Sequence, residues 1–130
     1  MILAVGHKQT NEGIRMKVKI GTIVSTAEPL GKIMSQSMPI ATSFRLKEIL
    51  GKLQEVLNTY DESRKELIEK HGKDGEIKPE SKNFPKFVSE LEELLATETK
   101  VDIEKVAQSS LSKVEVSPTD LMALDWLIEE

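Results

Sequence analysis

No cysteine occurs in the 130 residues. Disulfides, thiolate metal sites and thiol catalysis are thereby excluded, and the usage fits a reducing compartment. Aromatic residues make up only 4%, with one Trp, one Tyr and three Phe, so a core must be assembled from Leu, Ile and Val with few heavy anchors. No apolar run approaches the ~20 residues that cross a bilayer. Ile2 to Val5 is broken by Gly6 and polar residues before it reaches the length of a secretory core. The expectation is a protein that remains in the cytosol where it is made, with no membrane partner. Excess basic charge is also missing: 18 Lys and Arg against 22 Asp and Glu give a net charge of −4. A general nucleic-acid binder needs a basic face to gain from counterion release, so none is expected. The balance is equally too mild for a polyanionic mimic of DNA.

Catalytic signatures are lacking as well. The seven glycines form neither a dinucleotide fingerprint nor a phosphate-cradling loop with its Lys and Ser/Thr. No serine sits on a strand-to-helix elbow. His7 and His71 have no partner at a meaningful spacing; His71 is suited to the C-terminal end of a helix, where imidazole complements the dipole. Asp102, Glu104 and Glu115 read as a solvated sheet face, with too few oxygens around them for a cation site. Arg45, Lys47 and Lys52 form a small basic cluster whose default is a solvated face. No catalytic residue, cofactor or metal is therefore expected.

What is present is one long amphipathic segment, Phe44 to His71. Leu46, Ile49, Leu50, Leu53, Val56, Leu57, Tyr60, Leu67 and Ile68 recur at helical steps and fall within a stripe of roughly 120°. Such a helix runs about 40 Å, a spine that other elements or a second copy must cover. Pro39 and Ser37 would suit a first turn and a cap, placing its start there rather than at Ser43. Glu48–Lys52, Asp61–Lys65 and Glu66–Lys70 are acid-before-base pairs four apart. Gly51 is either tolerated or marks a close helix crossing, and Gly72 ends the helix.

Upstream, Ile2 to Val5 and the alternating Ile14, Met16, Val18 and Ile20 read as two strands of a hairpin turned at Asn11–Gly13. The alternative is that residues 1–15 are an extension ahead of a start at Met16. Residues 21–36 read as a helix, with a kink at Pro29 or a start near Ala27. Downstream, Phe84, Phe87, Val88, Leu91, Leu94 and Leu95 mark a third helix with Pro85 near its start. Lys100–Ile103 and Lys113–Val116 alternate as strands, with Gln108–Ser110 between them. Ser117-Pro118-Thr119-Asp120 opens a last helix that should run to the C-terminus. Leu121, Leu124 and Ile128 share its core face. Met122 and Trp126 lie on another face, either buried on a second side or forming a contact surface, since Trp and Met are favoured in interface cores. Glu129 and Glu130 are unfavourable at that helix end unless they meet solvent or a basic partner.

The order of several pieces resembles small uncharacterised proteins of tailed phages and prophages of Gram-positive bacteria. These are Met38-Pro39-Ile40-Ala41-Thr42-Ser43-Phe44, the run Tyr60 to Gly72, Leu91-Glu92-Glu93-Leu94-Leu95, Val101-Asp102-Ile103 and the ending Val116 to Glu130. The resemblance covers most of the chain but not residues 1–15. It implies a viral origin and brings no activity, cofactor or site residue. Together the readings predict one mainly helical α+β domain over residues 1–130, with a long spine helix, three shorter helices and a small antiparallel sheet. The expected role is non-enzymatic binding of a host protein, such as a defence component, or of a phage protein, in the host cytoplasm. Met122, Trp126, Glu129, Glu130, Phe44 and Arg45 are the candidate contact residues. The alternative is a virion or assembly component that forms a homo-oligomer through the long helix.

Overall fold

The alternation Met16–Val18 does form a strand, but its partner lies far along the chain. In the computed structural model, which describes residues 15–129, β1 (Arg15–Lys19) pairs antiparallel with β2 (Glu98–Asp102), Arg15 opposite Asp102 and Lys19 opposite Glu98. The expected strand Ile2–Val5 and its turn lie outside the described residues. Ile20 does not extend β1; it opens helix α1 (Ile20–Met34), and its N–H donates to the Thr97 carbonyl at 2.9 Å.

α1 starts nine residues before Pro29, not near Ala27. Its face of Ile20, Ile23, Thr26, Pro29, Leu30 and Ile33 is buried throughout. Each large aliphatic side chain buried there is worth about 1.5–3 kcal/mol. Together they outweigh the ~3 kcal/mol of one internal proline.

Helix α2 spans Ile40–His71, with Pro39 as its N-cap residue; Ser37 does not cap it. At 32 residues it is about 48 Å long. Its buried positions, Thr42, Leu46, Ile49 and Leu53, all lie in the first half. Val56, Leu57, Tyr60, Leu67 and Ile68 are half-buried. There α3 (Phe84–Ala96) returns along α2 as the second arm of a helical hairpin. Of the three expected ion pairs within α2, Asp61–Lys65 forms at 3.5 Å. Lys52 and Lys70 instead reach other elements: the Asp102 carbonyl at 2.5 Å and Glu90 of α3 at 3.0 Å. Both exchanges bind α2 to its neighbours.

Of the two readings of Gly51, tolerance holds, and Gly72 ends α2 as expected. Gly51 is exposed with open space around it, so no helix crosses there. The close crossing is at Gly21 of α1, where a Cβ would stand 3.1 Å from the Leu95 carbonyl oxygen of α3. Gly72 does cap α2, but in extended backbone; a Cβ on it would overlap the Glu76 carbonyl. The left-handed turn falls on Asp74 and Gly75, closed by reciprocal Lys73–Glu76 backbone bonds of 2.8 and 3.2 Å.

The C-terminal third departs furthest from expectation. Lys113–Val116 is not a strand. The Gln36 side-chain amide takes its place as partner: Nε2–H donates to the Glu115 carbonyl at 2.6 Å, and the Glu115 N–H donates back to Oε1 at 3.0 Å. The second strand pair is β3 (Val106–Ala107) with β4 (Ile128–Glu129), and it is parallel. Gln108–Leu111 is a 3-10 turn. Helix α4 (Pro118–Leu124) stops after seven residues, and a 3-10 turn, Asp125–Leu127, leads into β4. The last helix therefore does not run to the C-terminus. In the tighter turn residues three apart eclipse, which sends both Leu124 and Leu127 into the core.

The result is a mainly helical α+β fold with four α-helices among the described residues. Ile23, Leu30, Ile49 and Leu53 are the most deeply buried aliphatic residues of the core, and Val101, Ile103, Val106, Leu124 and Leu127 belong to the same cluster.

Candidate functional site

The start of α4 is set by local sequence. Pro118 occupies the first helical position, and the Ser117 hydroxyl accepts the Asp120 N–H at 3.1 Å. This is the arrangement that satisfies an orphan donor of a first turn. α4 packs on α1, and Ala123 and Trp126 meet Thr26 there.

Thr26 is wholly buried. Its hydroxyl lies 2.8 Å from the Thr22 carbonyl and 3.1 Å from the Ala123 carbonyl, and it accepts the indole N–H of Trp126 at 2.9 Å. A buried indole donor needs such a partner. Trp126 is thus neither free nor fully sunk: one edge is fixed to α1, and the ring is half-buried.

Beside it Met122 is 81% exposed. The two side chains wall an open cleft of about 740 Å³, with Gly21, Thr22 and Val24 of α1, Tyr60 of α2 and Leu95 of α3 as the other walls. The only Trp and the only Tyr of the chain meet at one cleft. Lys19 and Asp125 supply one charge of each sign to its lining. Tyr60 was legible in the sequence only as a member of the spine's apolar stripe. Lys19 and Thr26 carried no signal of this kind.

The other sequence candidates lie elsewhere. Phe44 is 57% exposed near the start of α2, one turn from Ile40 at 74%. Arg45 is ion-paired with Glu104, so the early basic cluster is partly neutralised rather than presented. Glu129 is exposed on β4, and Glu130 lies outside the described residues. The expected clash of Glu129 with a helix dipole does not arise, because α4 ends at Leu124. Leu121 is not a core residue: it is 41% exposed.

His71 does have a partner, unseen in the sequence because it lies nineteen residues away. Its side chain is 9% exposed, and Nε2 donates to Glu90 Oε2 at 2.5 Å. The bonds from His71 and then from Lys70 hold the Glu90 carboxyl below the ordinary glutamate range. The cluster joins the end of α2 to α3, and its geometry is that of a structural clamp. Among the described residues, no group of three or more His, Cys, Asp or Glu side chains is placed to hold a metal ion. No helix among them is long and apolar enough to cross a membrane.

Compared with protein-family models, curated proteins and solved structures, the chain matches none.

Proposed function

We propose that this protein is a phage-encoded, non-enzymatic binding module that engages a host or phage protein in the host cytoplasm through the cleft between α1 and α4. The observation that carries the reading is the pairing of a fixed Trp126 with a freely exposed Met122 over Tyr60. An indole already held by Thr26 loses little freedom when a partner covers it, which favours affinity. Met adapts to the partner's shape. Aromatic and Met side chains are enriched where interfaces bury most. The viral origin rests on the order of sequence pieces from Met38 to Glu130 described above.

The test is affinity capture from infected and uninfected host lysates with the wild-type chain and Met122→Asp in parallel. One protein in stoichiometric amount, captured by the wild type and lost with the variant, is the expected result. Equal capture by both removes the cleft from the account.

A second reading, a virion or assembly component that self-associates through α2, draws support from Ile40 and Phe44. These are apolar, exposed and one turn apart on that helix. It predicts a defined homo-oligomer by light scattering, dissociated by Phe44→Asp, and the protein's presence in purified particles.

A further inference from the structure

A second groove, of about 810 Å³, borders α4 at Leu121 rather than at Met122 and shares only Asp125 with the cleft above. Ile33, Leu111, Val114, Val116, Leu121 and Ile128 give it an apolar lining. Its charged lining residues are Asp125 and Glu129, with no cation among them. Neither carboxylate takes part in an ion pair among the described residues.

The backbone around the groove is also incompletely used. Glu115 presents both its N–H and its carbonyl to the Gln36 amide, the pattern of a residue in extended conformation. The neighbouring peptide groups of such a segment face the other way. The Val114 N–H is taken by the Leu111 carbonyl at 2.9 Å, and the Val116 N–H has no partner among the described residues. β4 also lines the groove; among the described residues its strand partner is β3, and the Ile128 N–H is taken by the Asp125 carbonyl.

The geometry points to this groove as the docking site for an extended peptide segment of a partner, with apolar side chains alternating with Lys or Arg. The unpartnered Val116 N–H beside the extended Glu115 suits strand addition, where main-chain bonds hold the ligand and alternate side chains enter the groove. A helical ligand satisfies its own backbone and leaves that N–H unused. Asp125 and Glu129 select basic residues on the outward positions and repel acidic ones.

The probe is a capped hexapeptide of alternating Val and Lys, titrated into the full ¹⁵N-labelled chain beside a Val and Glu peptide of equal length. The expected result is saturable shifts confined to residues 107–116, Leu121, Asp125 and 128–129 with the basic peptide. Glu129→Lys and Leu121→Asp, both at exposed positions, should each weaken it by roughly tenfold or more. Met122→Asp should leave it unchanged, which separates this groove from the cleft. Absence of saturable shifts, shifts centred elsewhere, or equal binding of the acidic peptide would overturn the assignment.

Discussion

The indole N–H of Trp126 donates to the hydroxyl of Thr26 at 2.9 Å, across one hundred positions of sequence. This bond fixes where α1 and the end of the chain meet, and it sets the back wall of the Met122–Tyr60 cleft.

Thr26→Val keeps the shape of the side chain but leaves the part-buried indole donor without its acceptor. A loss of about 1–3 kcal/mol in unfolding free energy is expected. Trp126→Phe should cost less in the Thr26→Val background than in the wild type, with a coupling of about 0.5–1.5 kcal/mol. Urea denaturation of the four proteins measures it. A coupling near zero would mean that the bond contributes nothing net.

Glycine substitutions should go in opposite directions. Gly51→Ala, in open space on a helix interior, should stabilise by up to about 1 kcal/mol. Gly72→Ala places a Cβ into the Glu76 and Ile68 carbonyls and should destabilise by roughly 1–3 kcal/mol. Thermal unfolding of both variants checks the contrast.

Glu90 carries a pH dependence whose sign follows from its bonds to His71 and Lys70. Its folded-state pKa is depressed, so its contribution to stability is full above the ordinary value of 4.5 and is lost as pH falls through the lower folded value. The gap between wild type and Glu90→Gln should therefore narrow as pH falls below that ordinary value. Denaturant midpoints across that range read it. A gap that widens as pH falls below 4.5 would show the sign to be wrong.

Gln36→Ala should release both backbone groups of Glu115. Faster hydrogen exchange at the Glu115 amide is expected, with little change at Ile49 or Leu53 in the core. Unchanged exchange at Glu115 would mean that the side-chain amide is not what holds the segment.

Features encoded over a few residues were legible in the sequence. The Ser117-Pro118-Asp120 start, the spine's stripe from Leu46 to Tyr60 and the Met16–Val18 part of the β1 alternation appear where the local pattern places them, while Ile20 opens α1 instead. What escaped depends on distant partners. Lys113–Val116 alternates like a strand, yet its backbone meets a glutamine side chain from residue 36. Ile128 and Glu129 continue the helical spacing of Leu121 and Leu124, yet the 3-10 turn that buries Leu127 and anchors Trp126 breaks the helix first. Of the candidate contact residues, Met122 and Trp126 share one cleft, joined by Tyr60; Phe44, Arg45 and Glu129 lie outside it. Helical spacing alone could not reveal that grouping, because Tyr60 comes from another helix.

Under the proposed function, a partner closes over the Met122–Trp126 cleft. The single Trp allows it to be read directly: label the chain with 5-fluorotryptophan, add the captured partner, and follow the one ¹⁹F resonance. A saturable shift of that resonance is expected with the wild type and none with Met122→Asp at the same partner concentration. A resonance that stays in place while light scattering shows the wild-type complex forming would contradict it.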